Sequence, residues 1–296
     1  MSNCTQCPRN CNLDRSQGAL GFCGAPQELL IARAALHPWE EPFLSGTRGS
    51  GTIFFCGCNL QCVFCQNREI SRGRIGKSIT SDELIEVMLR LRDAGAHNIN
   101  LVTPSHYALQ LIPVLEQIKP TLGIPVVYNC GGYESVETLR RLEGLVDIYL
   151  PDFKYFSNEL AEKYSGAADY FAVASKALAE MLRQQPTPFF DEEGMLRRGV
   201  VLRHLVLPGA RGDSIRLLRC LAERFGNRAF LLSLMSQYTP EFAMDCSCSE
   251  LHRRVTTFEY ESVLKEVEVL GFEGCIQGRS SASASYTPDF YEKSFL

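Results

Sequence analysis

The sequence Cys56-Gly-Cys-Asn-Leu-Gln-Cys-Val-Phe-Cys-Gln-Asn67 directly follows an apolar strand predicted over 52–55. Within it, Cys58, Cys62 and Cys65 form a C-x3-C-x2-C array. Thiolates at this spacing can bind one face of an iron–sulfur cluster, but a 4Fe-4S cluster takes four ligands and the array supplies only three. One iron would be left open, and an open coordination position is typical of a reactive metal site.

Two other interpretations of this array are a zinc knuckle and a set of buried free cysteines. The position after a strand, and Phe64 before the last cysteine, favour the cluster. Cys56 is an awkward fourth ligand because it lies only two residues before Cys58.

Length and composition predict one large domain with an appendage. The chain has 296 residues, of which 45% are hydrophobic and 22% charged, values typical of a globular protein. No run approaches the roughly 18 consecutive apolar residues of a membrane span, and the first residues lack the features of a signal peptide. We therefore expect a cytoplasmic protein that does not bind membranes.

The net charge and the number of cysteines exclude some classes of function and favour others. Thirty Lys and Arg against 34 Asp and Glu give a net charge of -4, which lacks the basic excess of a nucleic-acid binder. We expect no nucleic-acid partner. The 13 cysteines favour metal or redox roles, since a reducing cytoplasm does not sustain disulfides.

Strands and helices alternate along the rest of the chain, which predicts a parallel sheet that curls into a full or partial (β/α) barrel. Its functional residues should then follow the strands directly. Besides 52–55, the predicted strands are 98–102, 126–128, 147–150, 200–207 and 229–234.

Capping boxes predict two of the helices, at Thr80 with Glu83 and at Thr256 with Glu259. A helix over 106–118 contains Pro113, so we expect a kink or a break there. Further helices are predicted over 135–142, 169–185 and 213–225.

The cysteine array and its flanking residues resemble the radical S-adenosylmethionine (SAM) superfamily, specifically the branch of the pyruvate formate-lyase activating enzyme and a cysteine-rich, uncharacterised subgroup of it. The resemblance extends from about Gly46 to the C-terminus. It implies an α/β fold, a partial (β/α) barrel of the radical SAM type, over 46–296 with a C-terminal extension, preceded by a small cysteine-rich N-terminal appendage over 1–45.

The resemblance also implies the chemistry. A 4Fe-4S cluster on Cys58, Cys62 and Cys65 would bind SAM at its open iron and cleave it reductively, and the resulting 5'-deoxyadenosyl radical would abstract hydrogen from a substrate. An electron donor such as flavodoxin or ferredoxin would supply the electron. The first candidate role is the activation of a glycyl radical enzyme; the alternatives are modification of a peptide or small molecule, and a non-catalytic iron–sulfur electron carrier.

Polar residues at the later strand ends are candidates for binding SAM. The superfamily commonly has Gly-Gly-Glu after the second strand; here Thr103-Pro104-Ser105-His106 stands in its place, so Thr103 and Ser105 offer hydroxyls without the usual carboxylate. Asn129 ends the third strand and offers a polar contact for SAM or a cation, with a turn role as its alternative. Phe64, beside the cluster cysteines, is also expected at the cofactor.

Asp152 and Lys154 end the fourth strand on one face, and similar residues of the activating-enzyme branch meet the SAM ribose or carboxylate; a solvated ion pair is the alternative. Arg203 lies inside an apolar strand and needs a partner, for which the SAM carboxylate is a candidate. His204 points to the opposite face as a structural residue. Gln237 follows the sixth strand, where the superfamily places adenine or methionine contacts.

The glycines of Gly131-Gly132-Tyr133-Glu134 suggest a turn, either purely structural or one that lets the backbone approach a ligand. The tail over 277–290 suggests a segment packed along the barrel or over its mouth.

Four N-terminal cysteines offer enough thiolates for a second metal site, namely Cys4, Cys7, Cys11 and Cys23. Zinc or another structural metal, an auxiliary iron–sulfur cluster and metal-free thiols all stay open. Five further cysteines are expected to be reduced bystanders: Cys130, Cys220, Cys275, and Cys246 and Cys248 in a predicted loop.

Overall fold

The computed structural model describes residues 4–72, 75–278, 290 and 294. Its strands are β1 (Leu29–His37), β2 (Ser50–Phe55), β3 (Lys77–Ile79), β4 (Ile99–Val102), β5 (Val126–Cys130), β6 (Ile148–Pro151), β7 (Phe189–Phe190), β8 (Leu196–Leu205), β9 (Leu231–Met235) and β10 (Gly274–Ile276). Its helices are α1 (Pro42–Ser45), α2 (Arg68–Arg72), α3 (Ser81–Asp93), α4 (Ala108–Leu122), α5 (Val136–Arg141), α6 (Asn158–Ser165), α7 (Tyr170–Gln184), α8 (Arg211–Phe225) and α9 (Thr257–Leu270).

The sheet has the order β10-β9-β8-β6-β5-β4-β2-β1-β3. Every pairing from β10 to β2 is parallel, whereas β1 pairs antiparallel with both β2 and β3. In the part of the chain that the structure describes, β3 and β10 are the two edges and do not pair with each other. The fold is therefore the predicted α/β partial barrel, with an antiparallel extension at one edge.

The sequence prediction missed that extension. β1 lies inside the segment 1–45, which we expected to be an appendage, yet Leu29, Ile31, Ala34 and Ala35 are buried and the strand pairs along the length of β2. The division at 45/46 stays a prediction for the domain boundary, although the sheet itself begins before it.

The helices follow their predicted signals. Thr80 with Glu83 and Thr256 with Glu259 form complete capping boxes at the starts of α3 and α9. Of the kink or break predicted at Pro113, the break is wrong, because α4 continues through that residue and through Pro120. Burial of its apolar face offsets the roughly 3 kcal/mol that a proline costs inside a helix.

Helix α1 closes the end of the barrel opposite the carboxyl ends of the strands. Leu44 is fully buried and packs with Val127, Ile148 and Val201. Val127 and Ile148 lie near the starts of β5 and β6, and Val201 lies in the middle of β8. Glu41, the residue directly before α1, is thereby buried inside the barrel. No helix among the described residues is long and apolar enough to cross a membrane.

Candidate active site

A cavity of about 610 Å³ lies at the carboxyl ends of the parallel strands, the edge at which α/β barrels bind ligands. The loop 56–67, here called the thiol loop, forms part of its wall. Most of the predicted site residues line this cavity: Cys58, Cys62, Phe64, Cys65, Thr103, Asn129, Asp152, Lys154, Arg203 and Gln237.

Cys58, Cys62 and Cys65, here called the thiol trio, face this common space. The Leu60 amide donates to Cys58 Sγ at 3.4 Å, and the Ser165 hydroxyl donates to Cys62 Sγ at 3.0 Å. Burial, together with the neighbouring Cys62 and Cys65 thiols, raises the pKa of Cys58 to about 12. Binding of a cationic group here would therefore release protons.

The donor set fits a cluster. Each thiolate of an iron–sulfur cluster binds its own iron, so the ligands must face one space rather than one point, and the trio does so. Within 4–72, 75–278, 290 and 294, no three His, Cys, Asp or Glu side chains converge closely enough to hold a single metal ion.

Thr103 occupies a strained position at the end of β4. Its φ is 59°, in the left-handed region that a β-branched residue rarely adopts. Its amide donates to the Asn129 carbonyl at 2.8 Å, and both residues line the cavity. The backbone thus holds Thr103 at the cavity wall at a cost of about 1–3 kcal/mol.

Ser105 differs from its prediction. It is fully buried and is not among the residues that line the cavity, so a direct contact with SAM is not supported. Its hydroxyl instead donates to Glu134 Oε1 at 2.5 Å. Glu134 also accepts from the Tyr128 hydroxyl at 3.2 Å. Burial raises the pKa of Glu134 to about 7, against the lowering effect of the hydrogen bonds it accepts.

Asp152 and Lys154 form an ion pair at the cavity wall, with 2.5 Å between Oδ2 and Nζ. Burial alone would lower the pKa of Lys154, but Asp152 raises it above its usual value. Phe64 packs edge-on against Tyr164 and Tyr238, which fixes the ring beside the trio.

A model of the radical SAM superfamily matches residues 52–189. An uncharacterized protein of Methanocaldococcus jannaschii is 32% identical over 276 residues, which cover 90% of this chain and 74% of that protein. The chain belongs to the radical SAM superfamily. That superfamily implies a 4Fe-4S cluster and SAM as cofactors, and the thiol trio lies within the matched residues.

Solved structures share the radical SAM fold. The FeFe-hydrogenase maturase HydG from Carboxydothermus hydrogenoformans is 14% identical with a TM-score of 0.52, covering 74% of this chain and 50% of that chain. SuiB from Streptococcus suis, bound to precursor peptide SuiA, is 12% identical with a TM-score of 0.51, covering 80% and 51%. This radical SAM chain spans about half the length of those two proteins.

The floor of the radical SAM cavity contains residues that sequence reasoning missed. Arg203 donates to both carboxylate oxygens of Glu41 at 2.7 Å and also contacts Glu40. Asn100 donates to Glu40 Oε1 at 2.9 Å. Arg203 therefore has its charge partners within the chain, and a SAM carboxylate would compete with them. The two glutamates directly precede α1, and only the burial of α1 brings them here.

His204 is structural, as predicted: its ring nitrogens contact the Phe153 carbonyl at 2.7 Å and Ser214 Oγ at 2.8 Å. Gly132 is also structural, because its φ is 78° and a Cβ would lie 2.1 Å from the Asp152 carbonyl oxygen. Gly131, by contrast, lines the cavity. Gln237 accepts from Gln277 Nε2 at 3.2 Å. Most of the predicted tail, 279–289, lies outside the described residues.

Cys4, Cys7, Cys11 and Cys23, here called the thiol quartet, are electrostatic neighbours. Burial raises the pKa of Cys7 to about 12, with smaller contributions that include Cys23 and Cys4. Burial also raises the pKa of Cys23, to which Cys4 and Cys11 add. The quartet lies outside the residues that line the cavity, and whether it holds zinc, a cluster or no metal stays open.

All 13 cysteines lie within the described residues, and none of them forms a disulfide bond. Cys130 and Cys275 line the cavity although we expected them to be bystanders. Cys246 lies in a loop whose Asp245 pairs with Arg68 at 2.9 Å.

Proposed function

We propose that this chain binds a 4Fe-4S cluster on the thiol trio, binds SAM in the adjoining cavity, and generates a 5'-deoxyadenosyl radical for hydrogen abstraction. The observation on which this proposal depends is that all three thiols line one cavity together with the strand-end polar residues. When bound, the cluster and SAM supply a one-electron cleavage that yields methionine and the radical.

The chain's own residues would bind and orient. Lys154 and Asp152 offer a cation and an anion at the wall, and Thr103 and Asn129 offer polar atoms nearby. Apolar side chains such as Phe64, Leu60 and Val102 would exclude water from the reacting centre.

We further propose a protein substrate, as in the activation of a glycyl radical enzyme. The cavity is supported at its floor by α1, and exposed apolar side chains such as Trp39 and Ile276 offer contacts to an inserted protein loop. Modification of a peptide or small molecule is the alternative. We propose an acidic electron carrier such as flavodoxin or ferredoxin as the reductant. Arg72 donates to the Gln61 and Cys62 carbonyls at 2.9 and 3.2 Å, so its positive charge lies beside the thiol loop, where it would attract an acidic partner.

We also propose that the thiol quartet holds an auxiliary iron–sulfur cluster, because its four thiols are electrostatic neighbours and each thiolate of a cluster binds its own iron. Zinc is the alternative, and it would require the four thiols to move closer together than they are in the described residues.

The test is anaerobic reconstitution followed by reduction in the presence of SAM, with iron, zinc, methionine and 5'-deoxyadenosine measured in one sample. We expect about four irons on the trio and equal amounts of the two SAM products. Iron or zinc beyond that identifies the content of the quartet.

Two variants sharpen this test. Cys58→Ala should abolish SAM cleavage, whereas Cys220→Ala, on α8 and outside the cavity lining, should leave it unchanged. Cleavage retained in Cys58→Ala would refute the cluster assignment. Iron binding without SAM cleavage in the wild type would favour the electron-carrier alternative. A glycyl radical signal after incubation with a co-purifying protein would support the activating role; a modified peptide or small molecule would replace it.

A further inference from the structure

Arg9, in the N-terminal segment, donates hydrogen bonds to three backbone carbonyls near the thiol trio. Arg9 Nε donates to the Asn59 carbonyl at 2.8 Å, Nη2 to the Ser165 carbonyl at 2.9 Å, and Nη1 to the Gly166 carbonyl at 2.5 Å. The three acceptors come from two segments far from Arg9 in sequence. A planar guanidinium can hold three such carbonyls at once.

Two aromatic rings, those of Phe22 and Tyr133, also contact the guanidinium of Arg9. Its carbon lies 3.8 Å from the centroid of the Phe22 ring and 5.3 Å from that of Tyr133. These partners are carbonyls and rings rather than carboxylates, so they leave the positive charge of Arg9 in place next to the thiol loop.

The residues that Arg9 holds are those that orient the trio. Asn59 directly follows Cys58, so its carbonyl belongs to the backbone that positions that thiol. Ser165 donates its hydroxyl to Cys62 Sγ at 3.0 Å. One side chain thus restrains the surroundings of two of the three trio thiols.

A second arginine links the thiol quartet to the other end of the thiol loop. Arg15 is buried; it donates to the His106 carbonyl at 2.6 Å and to Cys23 Sγ at 3.4 Å. His106 Nε2 in turn contacts the carbonyl of Cys56 at 2.7 Å. Gln61, inside the thiol loop, donates to the Phe22 carbonyl at 2.7 Å.

We propose that the N-terminal segment braces the thiol loop, with Arg9 as its positioning residue, so that occupancy of the quartet and retention of the trio's cluster are energetically coupled. This inference rests on the proposed function. A metal on the quartet would order a short segment that has little regular structure of its own, and the ordered segment holds Arg9 in place. By linkage, the factor by which the quartet's metal strengthens the trio's site is also the factor in the reverse direction.

The experiment compares Arg9→Ala, Arg9→Lys and Cys7→Ser with the wild type in the full-length, reconstituted protein. The readout is the part of the reduced EPR signal that changes when SAM is added, because only a cluster with an open iron responds to SAM. Its decay is followed in the presence of an iron chelator under anaerobic conditions, and its midpoint potential is measured by redox titration.

We expect the signal of Arg9→Ala to decay about tenfold faster, the size of effect that removal of an outer-shell partner has on a metal site, and its potential to become more negative because a nearby cation is lost. Arg9→Lys should keep the potential but decay nearly as fast, since one ammonium cannot hold three carbonyls in a plane. The matched control is Arg48→Ala, whose side chain also donates to a backbone carbonyl, that of Gly95, at 3.0 Å, outside the cavity; it should match the wild type.

Coupling is tested by the double variant Arg9→Ala with Cys7→Ser. If the two residues act through one brace, the double variant decays no faster than the faster single variant. Multiplied decay factors, or decay in both Arg9 variants within twofold of the wild type, would overturn the brace. If the wild type gives no SAM-responsive signal, the proposed function fails instead, and the two failures are therefore distinguishable.

Discussion

The thiol trio and the thiol quartet are two cysteine groups with different surroundings. The trio lines a cavity and receives hydrogen bonds from an amide and a hydroxyl on its sulfurs. The quartet lies outside the cavity lining, and Cys7 and Cys23 are each only 4% exposed. Three ligands beside a cavity leave room for a substrate on the metal, whereas four ligands complete a closed site. This difference agrees with the proposed roles, in which the trio carries the chemistry and the quartet supports the structure.

The largest expected effect is the loss of SAM cleavage on removal of a trio cysteine, compared with removal of a quartet cysteine. Cys65→Ala should reduce SAM cleavage to the level of a protein-free control, because it removes one of three cluster ligands. Cys11→Ala should lower thermal stability but keep the cleavage rate per SAM-responsive cluster within about twofold. Product analysis normalised to the EPR signal measures both, and loss of the normalised rate in Cys11→Ala would end the distinction.

Glu134 is buried near the quartet, since it adds to the raised pKa of Cys7, and it accepts a hydrogen bond from Ser105. Its pKa of about 7 when folded exceeds the usual value, so the folded state keeps a proton that the unfolded state loses. Stability should therefore fall as the pH rises from about 4.5 to 7, by up to about 3 kcal/mol at about 1.4 kcal/mol per pKa unit. Glu134→Gln should flatten this dependence in urea unfolding; an unchanged slope would assign it to other groups.

Ser165→Ala probes the trio alone. Loss of the hydroxyl that donates to Cys62 Sγ should move the potential of the SAM-responsive cluster to a more negative value, because hydrogen bonds to cluster sulfur stabilise the reduced state. The metal content of the quartet should not change. Tyr155, which contacts the same hydroxyl at 2.8 Å, provides the comparison: Tyr155→Phe should shift the potential less, and an equal shift would point to a general packing effect.

The smallest effect is expected at Thr103. Thr103→Gly should stabilise the fold by up to about 1 kcal/mol, because glycine adopts a positive φ without strain, and should weaken SAM binding through loss of the hydroxyl. Thermal unfolding and SAM titration of the reconstituted protein separate the two effects. If Thr103→Gly unfolds at a higher temperature than the wild type but binds SAM with the same affinity, the hydroxyl has no part in binding.

Sequence reasoning predicted the parts of the site that depend on local order. The thiol trio follows β2, and Asp152, Lys154 and Asn129 lie at strand ends, so the topology of a parallel barrel places them at one edge. Ser105 shows the limit of that argument. Its position predicts the correct edge, but the direction of its side chain depends on Glu134, which the sequence places on another strand's loop.

The residues that the sequence prediction missed act across long separations. Glu41 meets Arg203, and Arg9 meets Asn59, only because α1 and the N-terminal segment pack where they do. A Trp-Glu-Glu-Pro run has no distinctive pattern, and β1 lies within a segment whose cysteines dominated its interpretation. Periodicity and spacing report neighbours along one element, so contacts of this kind require the tertiary structure.

The acidic pair before α1 and its partner Arg203 come from other parts of the chain than the thiol trio. Glu40, Glu41 and Arg203 all lie outside residues 52–189, the part that matches the superfamily model, whereas the thiol trio lies inside it. The two ends of one cavity therefore come from different parts of the chain. A substitution of Glu40, Glu41 or Arg203 would therefore change the charge of the cavity floor without changing any residue of the segment that contains the thiol trio.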